Sequence, residues 1–460
     1  MSLPDQPLSP LDGRYRPAVV ALGEHLSEAG LNRARVRVEV EWLIFLTDRE
    51  LFGSTKLDHE QARQLRAFAA EFGQDEIDQL ATLEATTRHD VKAVEYLVRR
   101  KLSDLGLNGV AELTHFACTS EDINNLSYAL TIGAALREVW LPKFRSVIAV
   151  LRARALEFRD DAMLAHTHGQ PATPTTMGKE LAVVVYRLER ILAQIEATEY
   201  LGKFSGATGT FAAHRAADAT QDWPALSQEF VTSLGLGWNP LTTQIESHDW
   251  QAELYARVSH ANRVLHNLCT DVWTYISMGY FRQIPQPGAT GSSTMPHKIN
   301  PIRFENAEAN LELSSALLDS LAATLVTSRL QRDLTDSTTQ RNVGVALGHS
   351  LLALDNIERG LGEIDLNRDA LAADLDANWE ILGEAIQTVI RAEVTAGRSS
   401  IADPYAILKE LTRGKRVGQG ELVEFIDGLD IGAEAKATLR SLTPATYTGL
   451  ASELVEYLEP

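Results

Sequence analysis

Residues 288–301 read Gly-Ala-Thr-Gly-Ser-Ser-Thr-Met-Pro-His-Lys-Ile-Asn-Pro, and they set two adjacent hydroxyls, Ser292 and Ser293, shortly before a fixed cation, Lys298. The small residues leave the backbone free to move and to expose its amides. Asn300-Pro301 reads as the N-cap and first position of a helix, because Asn accepts from unpaired amides and Pro has none to offer. Hydroxyls, an ammonium and the positive end of a helix together suit a carboxylate. They also suit negative charge that develops on it during a reaction.

Four further segments carry groups that could do chemistry. Thr167-His168-Gly169-Gln170-Pro171-Ala172-Thr173-Pro174 places an imidazole in a tight turn among small residues, where it could give or take a proton near neutral pH. Thr173-Pro174 predicts the cap and first turn of a helix running from Met177 to Tyr200. His166 reads as structural. Cys118-Thr119-Ser120-Glu121-Asp122 has Thr119 and Asp122 at capping-box spacing, with two hydroxyls at a helix N-terminus that offer a second place for a carboxylate. Arg88-His89-Asp90 sets a carboxylate beside an imidazole, although a helix start explains the spacing equally well. Between Arg329 and Arg341, three arginines stand among Ser and Thr donors; guanidinium forks bind phosphate bidentately, while pairing with Asp333 and Asp336 is the competing reading. Ser9 to Tyr15 forms a turn presenting Arg14 and Tyr15. The sequence has no CxxC, no two-histidine helix pair, no GxGxxG and no P-loop, so neither a metal nor a cofactor is expected.

The elements that must position these groups are helices. Leu181, Val184, Val185, Leu188, Ile191, Leu192 and Ile195 follow helical spacing, and similar stripes run over 122–158, 250–282 and 301–330. Strand alternation is scarce. The pattern predicts an all-α fold around a central bundle of long helices, with a kink at Pro142. Three domains are expected, at 1–110, 111–364 and 365–460. The bundle stripes are longer than one bundle covers, which predicts self-association through the central helices. Sedimentation as a folded monomer at micromolar concentration would exclude it.

Composition removes several function classes. The 460 residues are 45% hydrophobic and 23% charged, ordinary for a globular protein. Net charge is 43 − 62 = −19, which argues against a nucleic-acid surface. Two cysteines, Cys118 and Cys269, fit a reducing compartment. The first residues do not read as a signal peptide, and no apolar run approaches membrane-spanning length, so the expectation is a cytoplasmic protein with no membrane partner.

Taken together, the segments resemble the fumarase/aspartase superfamily, whose Gly-Ser-Ser-x-Met-Pro-x-Lys-x-Asn-Pro signature is matched by Gly291 to Pro301. Within it the chain resembles the adenylosuccinate lyases of bacterial type. His297 occupies a position where fumarases carry Gly and argininosuccinate lyases Gln. The Asp12–Tyr15, Arg88–Asp90, Thr119–Asp122, Thr167–Gln170 and Arg332–Ser337 stretches match the same family, over nearly the whole chain. The Ala396–Ile401 region looks longer and more polar than that family's pattern.

The resemblance implies a β-elimination that releases fumarate from adenylosuccinate and from the succinyl-carboxamide ribotide of purine synthesis. It implies Ser292 as base, by motif alignment rather than by anything that separates it from Ser293, and His168 as the acid for the departing nitrogen. Glu305 would orient the histidine and Lys298 would stabilise the developing charge. Thr119 and Ser120, with Lys298 and Asn300, would hold the succinyl carboxylates; Gln244 would hydrogen-bond the substrate, and Asn306 would also bind it. Arg14, Tyr15, Arg332, Ser337 and Arg341 would hold phosphate and ribose, and Arg88, His89 and Asp90 would line the pocket. It also implies a homotetramer in which three subunits share each site. The alternatives are another fumarate-releasing lyase acting on argininosuccinate, aspartate or malate, or a non-catalytic relative like the lens crystallins.

Overall fold

The computed structural model describes residues 7–285, 295, 298–412 and 417–458. Ser292, Ser293 and His297 lie outside the described residues. The fold is all-α. Its long helices are Glu28–Asp48, Ser120–Ala135, Leu141–Glu157, Met177–Glu196, Asp249–Ser277, Ile302–Leu325 and Val343–Gly362. Among the described residues, strands occur only as three short pairs. No described helix is long and apolar enough to cross a membrane.

The chain forms two compact units. The first comprises Met1–Arg145, Ile191–Arg263 and Ala309–Asp355; the second comprises Ser146–Arg190, Val264–Glu308 and Asn356–Pro460.

In the first unit, Glu28–Asp48 is buried along most of its length. Trp42 on this helix packs against Phe45, Phe204 and Phe230 with ring centroids 5.5, 4.4 and 4.9 Å away. Its indole N–H donates to the Phe116 carbonyl at 3.1 Å, so the buried aromatic leaves no polar atom unpaired. A polar thread runs through fully buried positions. Trp140 Nε1 donates to Ser350 Oγ (2.9 Å), Ser350 to Asn262 Oδ1 (2.8 Å), Asn262 to Ser314 Oγ (3.0 Å) and Ser314 to the Ala346 carbonyl (2.8 Å). Because each member is satisfied only in one alignment, the thread fixes how these helices sit against one another. The irregularity expected at Pro142 takes the form of a π turn at Leu136–Trp140, in which the Leu141 N–H reaches back five residues to the Leu136 carbonyl. Proline cannot donate to the preceding turn and its ring crowds the carbonyl there, so the helix widens before continuing.

The second unit corrects two sequence expectations. Thr173-Pro174 does not start a helix. Ala162–Thr167 and Gln170–Thr176 are antiparallel strands, with Thr167 opposite Gln170. His168 and Gly169 form the two-residue turn between them, both with positive φ (55° and 73°), as a turn that matches strand twist requires. Both strands of a two-stranded ribbon are edges, so Pro171 and Pro174 are tolerated. The helix begins at Met177, where Thr176 Oγ1 accepts from the Lys179 amide at 3.1 Å, and it ends at Glu196 rather than Tyr200. At the other boundary, the Pro301 carbonyl accepts from the Phe304 and Glu305 amides, so Pro301 itself holds the cap position and the helix starts at Ile302. The C-terminal helices close over Leu382, Ile386, Ile390, Leu422 and Ile426. The polar Ala396–Ile401 stretch is tied down by Arg398 on Glu393 and by Ser400 Oγ on Asp430 (2.6 Å).

Candidate active site

The first unit gathers most of the polar residues singled out in the sequence, and helix Ser120–Ala135 organises them. Asp122 occupies the third position of its first turn and accepts from the Thr119 amide at 2.8 Å, one half of the expected capping box. The same carboxylate accepts from the Ser205 amide (2.8 Å) and the Gly206 amide (3.1 Å) and pairs with Lys203 Nζ at 2.9 Å. Both members of this ion pair are fully buried. Lys203 also donates to the Gly206 carbonyl at 3.0 Å. Asp122 therefore ties the Thr119-Ser120 helix end to the 203–206 segment. Gly209 in the following turn is needed as glycine: φ is +74°, and a Cβ there would lie 2.2 Å from the Thr242 carbonyl oxygen.

Glu121, the neighbouring acid, points to a different partner. It is 3% exposed and pairs with Arg332 at 2.9 Å, while Asn124 Nδ2 donates to it at 2.8 Å. Burial raises its pKa, and Arg332 and the Asn124 hydrogen bond only partly offset this. Arg332 also donates to Ser337 Oγ (3.0 Å) and to Gln244 Oε1 (3.3 Å), and Gln244 Nε2 donates to the Ala207 carbonyl (2.9 Å). Arg332, Ser337 and Gln244 are thus brought together. Ala207, Thr208, Gln244, Leu330, Arg332 and Asp333 line an open cavity of about 410 Å³.

A second cluster centres on Asp90. It accepts from Arg35 at 2.9 Å and from Arg341 at 3.1 Å. Burial alone would push this carboxyl up; Arg35, the Val91 amide and Arg341 outweigh it and hold the pKa below the ordinary range. Arg35 Nε in turn donates to Asn124 Oδ1 at 2.9 Å. The contacts therefore run without a break from Arg341 through Asp90, Arg35, Asn124 and Glu121 to Arg332. His89 caps helix Asp90–Asp104: its Nδ1 accepts from the Lys92 amide at 3.2 Å. The proton of the neutral ring then belongs on Nε2, which faces Ser120 Oγ at 3.5 Å. Arg88 is exposed in a left-handed conformation at the preceding helix end. Arg14 Cζ lies 5.8 Å from the centroid of the Tyr15 ring.

In the second unit, His168 stands exposed at the hairpin tip and makes no side-chain hydrogen bond among the described residues. Glu305 is exposed and accepts from Trp273 Nε1 at 3.1 Å, so within this unit it is not hydrogen-bonded to His168. Lys298 is exposed, and its amide donates to the Met295 carbonyl at 3.0 Å; Asn300 is half-buried. Asn306 Oδ1 accepts from Asn356 at 3.0 Å. No group of three His, Cys, Asp or Glu among the described residues could hold a metal ion.

Sequence reasoning missed Arg35, Glu121 and Lys203. Each is charged and almost wholly buried, and each acts on a partner far away in the chain, which local spacing does not reveal.

Comparison with known proteins bears on this arrangement. Residues 13–312 match the family described as Lyase, and residues 328–448 match Adenylosuccinate lyase C-terminal. The adenylosuccinate lyase of Escherichia coli (strain K12) is 49% identical over 454 residues, covering 98% of each chain. That of Vibrio cholerae is 48% identical, again over 98% of each. Among solved structures, a fumarate lyase from Mesorhizobium sp. BNC1 has a TM-score of 0.75 at 20% identity, covering 95% of this chain and 97% of its own. A 3-carboxy-cis,cis-muconate lactonizing enzyme from Pseudomonas putida has a TM-score of 0.74 at 19% identity, covering 95% and 96%. These two structures share the fold. The family matches and the full-length relatives place the chain in the adenylosuccinate lyase family.

Proposed function

We propose that the chain cleaves adenylosuccinate to AMP and fumarate, and the succinyl-carboxamide ribotide to the carboxamide ribotide and fumarate, in the cytoplasm as a step of purine synthesis. The observation that carries this reading is the Arg332–Ser337–Gln244 cluster beside an open cavity. It supplies guanidinium and hydroxyl donors suited to a phosphate, which argininosuccinate, aspartate and malate lack.

The reaction follows from the charges that must move. A base takes the proton from the carbon next to a substrate carboxylate. The electron pair left behind spreads onto that carboxylate, then forms the fumarate double bond as the carbon–nitrogen bond breaks. The departing nitrogen receives a proton. Ser292, outside the described residues, is the base by family resemblance, and His168 is the acid. Lys298 and Asn300 offset the carboxylate charge. Thr119 and Ser120 hold the succinyl carboxylates, and Gln244 and Asn306 bind substrate. Arg14, Tyr15, Arg332, Ser337 and Arg341 hold ribose and phosphate, with Arg88, His89 and Asp90 along the wall. His168 at an exposed hairpin tip needs a carboxylate to hold its charge, and Glu305 from another subunit fits that role.

A shared site requires assembly, and a homotetramer built through the long helices is the arrangement proposed. Val183 and Tyr186 on Met177–Glu196, Trp273 on Asp249–Ser277 and Leu313 on Ile302–Leu325 are exposed at 43%, 53%, 42% and 52%. Apolar side chains on bundle helices support burial against further copies. Residues 1–110, 111–364 and 365–460 would form the three domains. The functional reading is tested by following fumarate release from adenylosuccinate.

A further inference from the structure

We propose that Glu121 is a positioning residue that sets the orientation of Arg332 and thereby the preference for a phosphorylated substrate. This rests on the reading of Arg332 as a phosphate ligand.

A long guanidinium side chain at a cavity edge has many rotamers, and it recognises phosphate well only when its donors are already aimed. Three groups hold Arg332: Glu121 pairs with Nη2 at 2.9 Å, Ser337 Oγ accepts from the same nitrogen at 3.0 Å, and Gln244 Oε1 accepts from Nη1 at 3.3 Å. Glu121 is the charged one and the most deeply buried, at 3% exposure. It is itself held at 2.8 Å by Asn124, which Arg35 holds at 2.9 Å. Its backbone lies in the first turn of a helix whose next residue, Asp122, is locked to Lys203 and to the Ser205 and Gly206 amides. Glu121 therefore has little freedom, and Arg332 takes its direction from it. Arg332 keeps donors to spare: its Nε–H is buried with no partner among the described residues. Arg332 itself lines the cavity, so a phosphate bound there would meet its guanidinium. The Gln244 contact closes a ring, because Gln244 is anchored on Ala207, next to the Gly206 amide that Asp122 holds. Of the two successive acids on this helix turn, Glu121 thus holds the guanidinium directly, and Asp122 holds the segment beside the anchor of Gln244.

The test compares kcat/KM for adenylosuccinate with that for the same compound lacking its phosphate. Glu121→Gln keeps the size of the side chain and removes the charge. It should lower the ratio of the two values by roughly tenfold, on the scale of the coupling between two charged side chains in contact, through KM for the phosphorylated substrate. The dephosphorylated substrate should be cleaved at nearly the wild-type rate. Arg332→Gln should lower the ratio at least as far, and the double variant should go no further than Arg332→Gln alone. An equal loss on both substrates, or additive losses in the double variant, would overturn the proposal. If Arg332→Gln leaves the ratio unchanged, the phosphate reading itself fails. Should Glu121→Gln not fold, Asn124→Ala removes one restraint on Glu121 and should shift the ratio in the same direction; no shift there would also overturn the proposal.

Discussion

His168→Ala is expected to lower turnover about a hundredfold or more while leaving the fold intact, because general acid catalysis at a poor leaving group contributes on that order. The two halves of this result have separate origins. The imidazole is exposed at a turn and contributes no side-chain hydrogen bond among the described residues, so its removal costs the fold little. The turn depends on backbone conformation instead, and alanine at a φ of 55° is only mildly strained beside Gly169. A catalytic loss with an unchanged melting temperature would identify the ring as a chemical group. His168→Asn, which tolerates the left-handed conformation better, should be as inactive and at least as stable. Turnover within a few-fold of wild type in both variants would remove His168 from the proton transfer.

Lys203→Met has the opposite profile. Lys203 and Asp122 are both fully buried and 2.9 Å apart. Methionine fills much of the lysine volume but leaves Asp122 as a carboxylate without a counter-charge. Removing one partner of a buried pair costs about 3–5 kcal/mol. The backbone donors that remain on Asp122, from Thr119, Ser205 and Gly206, place the expected loss near the lower end, at about 3 kcal/mol. Denaturant unfolding at matched protein concentration would measure it, since the proposed assembly would make stability depend on concentration. The damage should extend to the site, because the same contacts hold the Thr119-Ser120 helix end. A loss below about 1 kcal/mol would mean that water or a rearranged neighbour replaces the ammonium, and that the pair is not the anchor described here.

What the sequence displays and what it hides divide along physical lines. Helix stripes are local and periodic, so the all-α architecture and the long bundle helices are legible from Leu181, Val184, Val185 and Leu188 onward. The Thr119–Asp122 cap is legible because it spans only three positions. The hairpin around His168 is not. Its second strand carries two prolines, and Thr173-Pro174 imitates a helix start; the signal that could have revealed it is the two-residue His-Gly turn between two short segments. The acid–base pairs that build the site are hidden for another reason. Arg35 reaches Asp90 across 55 positions and Asn124 across 89. Glu121 in the first helix turn reads as an ordinary acid near a helix dipole, although its partner is Arg332. Such charges look like solvated surface until the fold brings them together. Ser292 is the reverse case: it is prominent in the sequence motif and outside the described residues.

The most direct measurement is the ultraviolet absorbance of the purified protein incubated in turn with adenylosuccinate, the succinyl-carboxamide ribotide and argininosuccinate. The expected result is loss of the succinyl-purine absorbance with fumarate and AMP formed in equal amounts, the corresponding cleavage of the ribotide, and no fumarate from argininosuccinate. Fumarate from argininosuccinate, or none from adenylosuccinate with a folded and assembled protein, would contradict it.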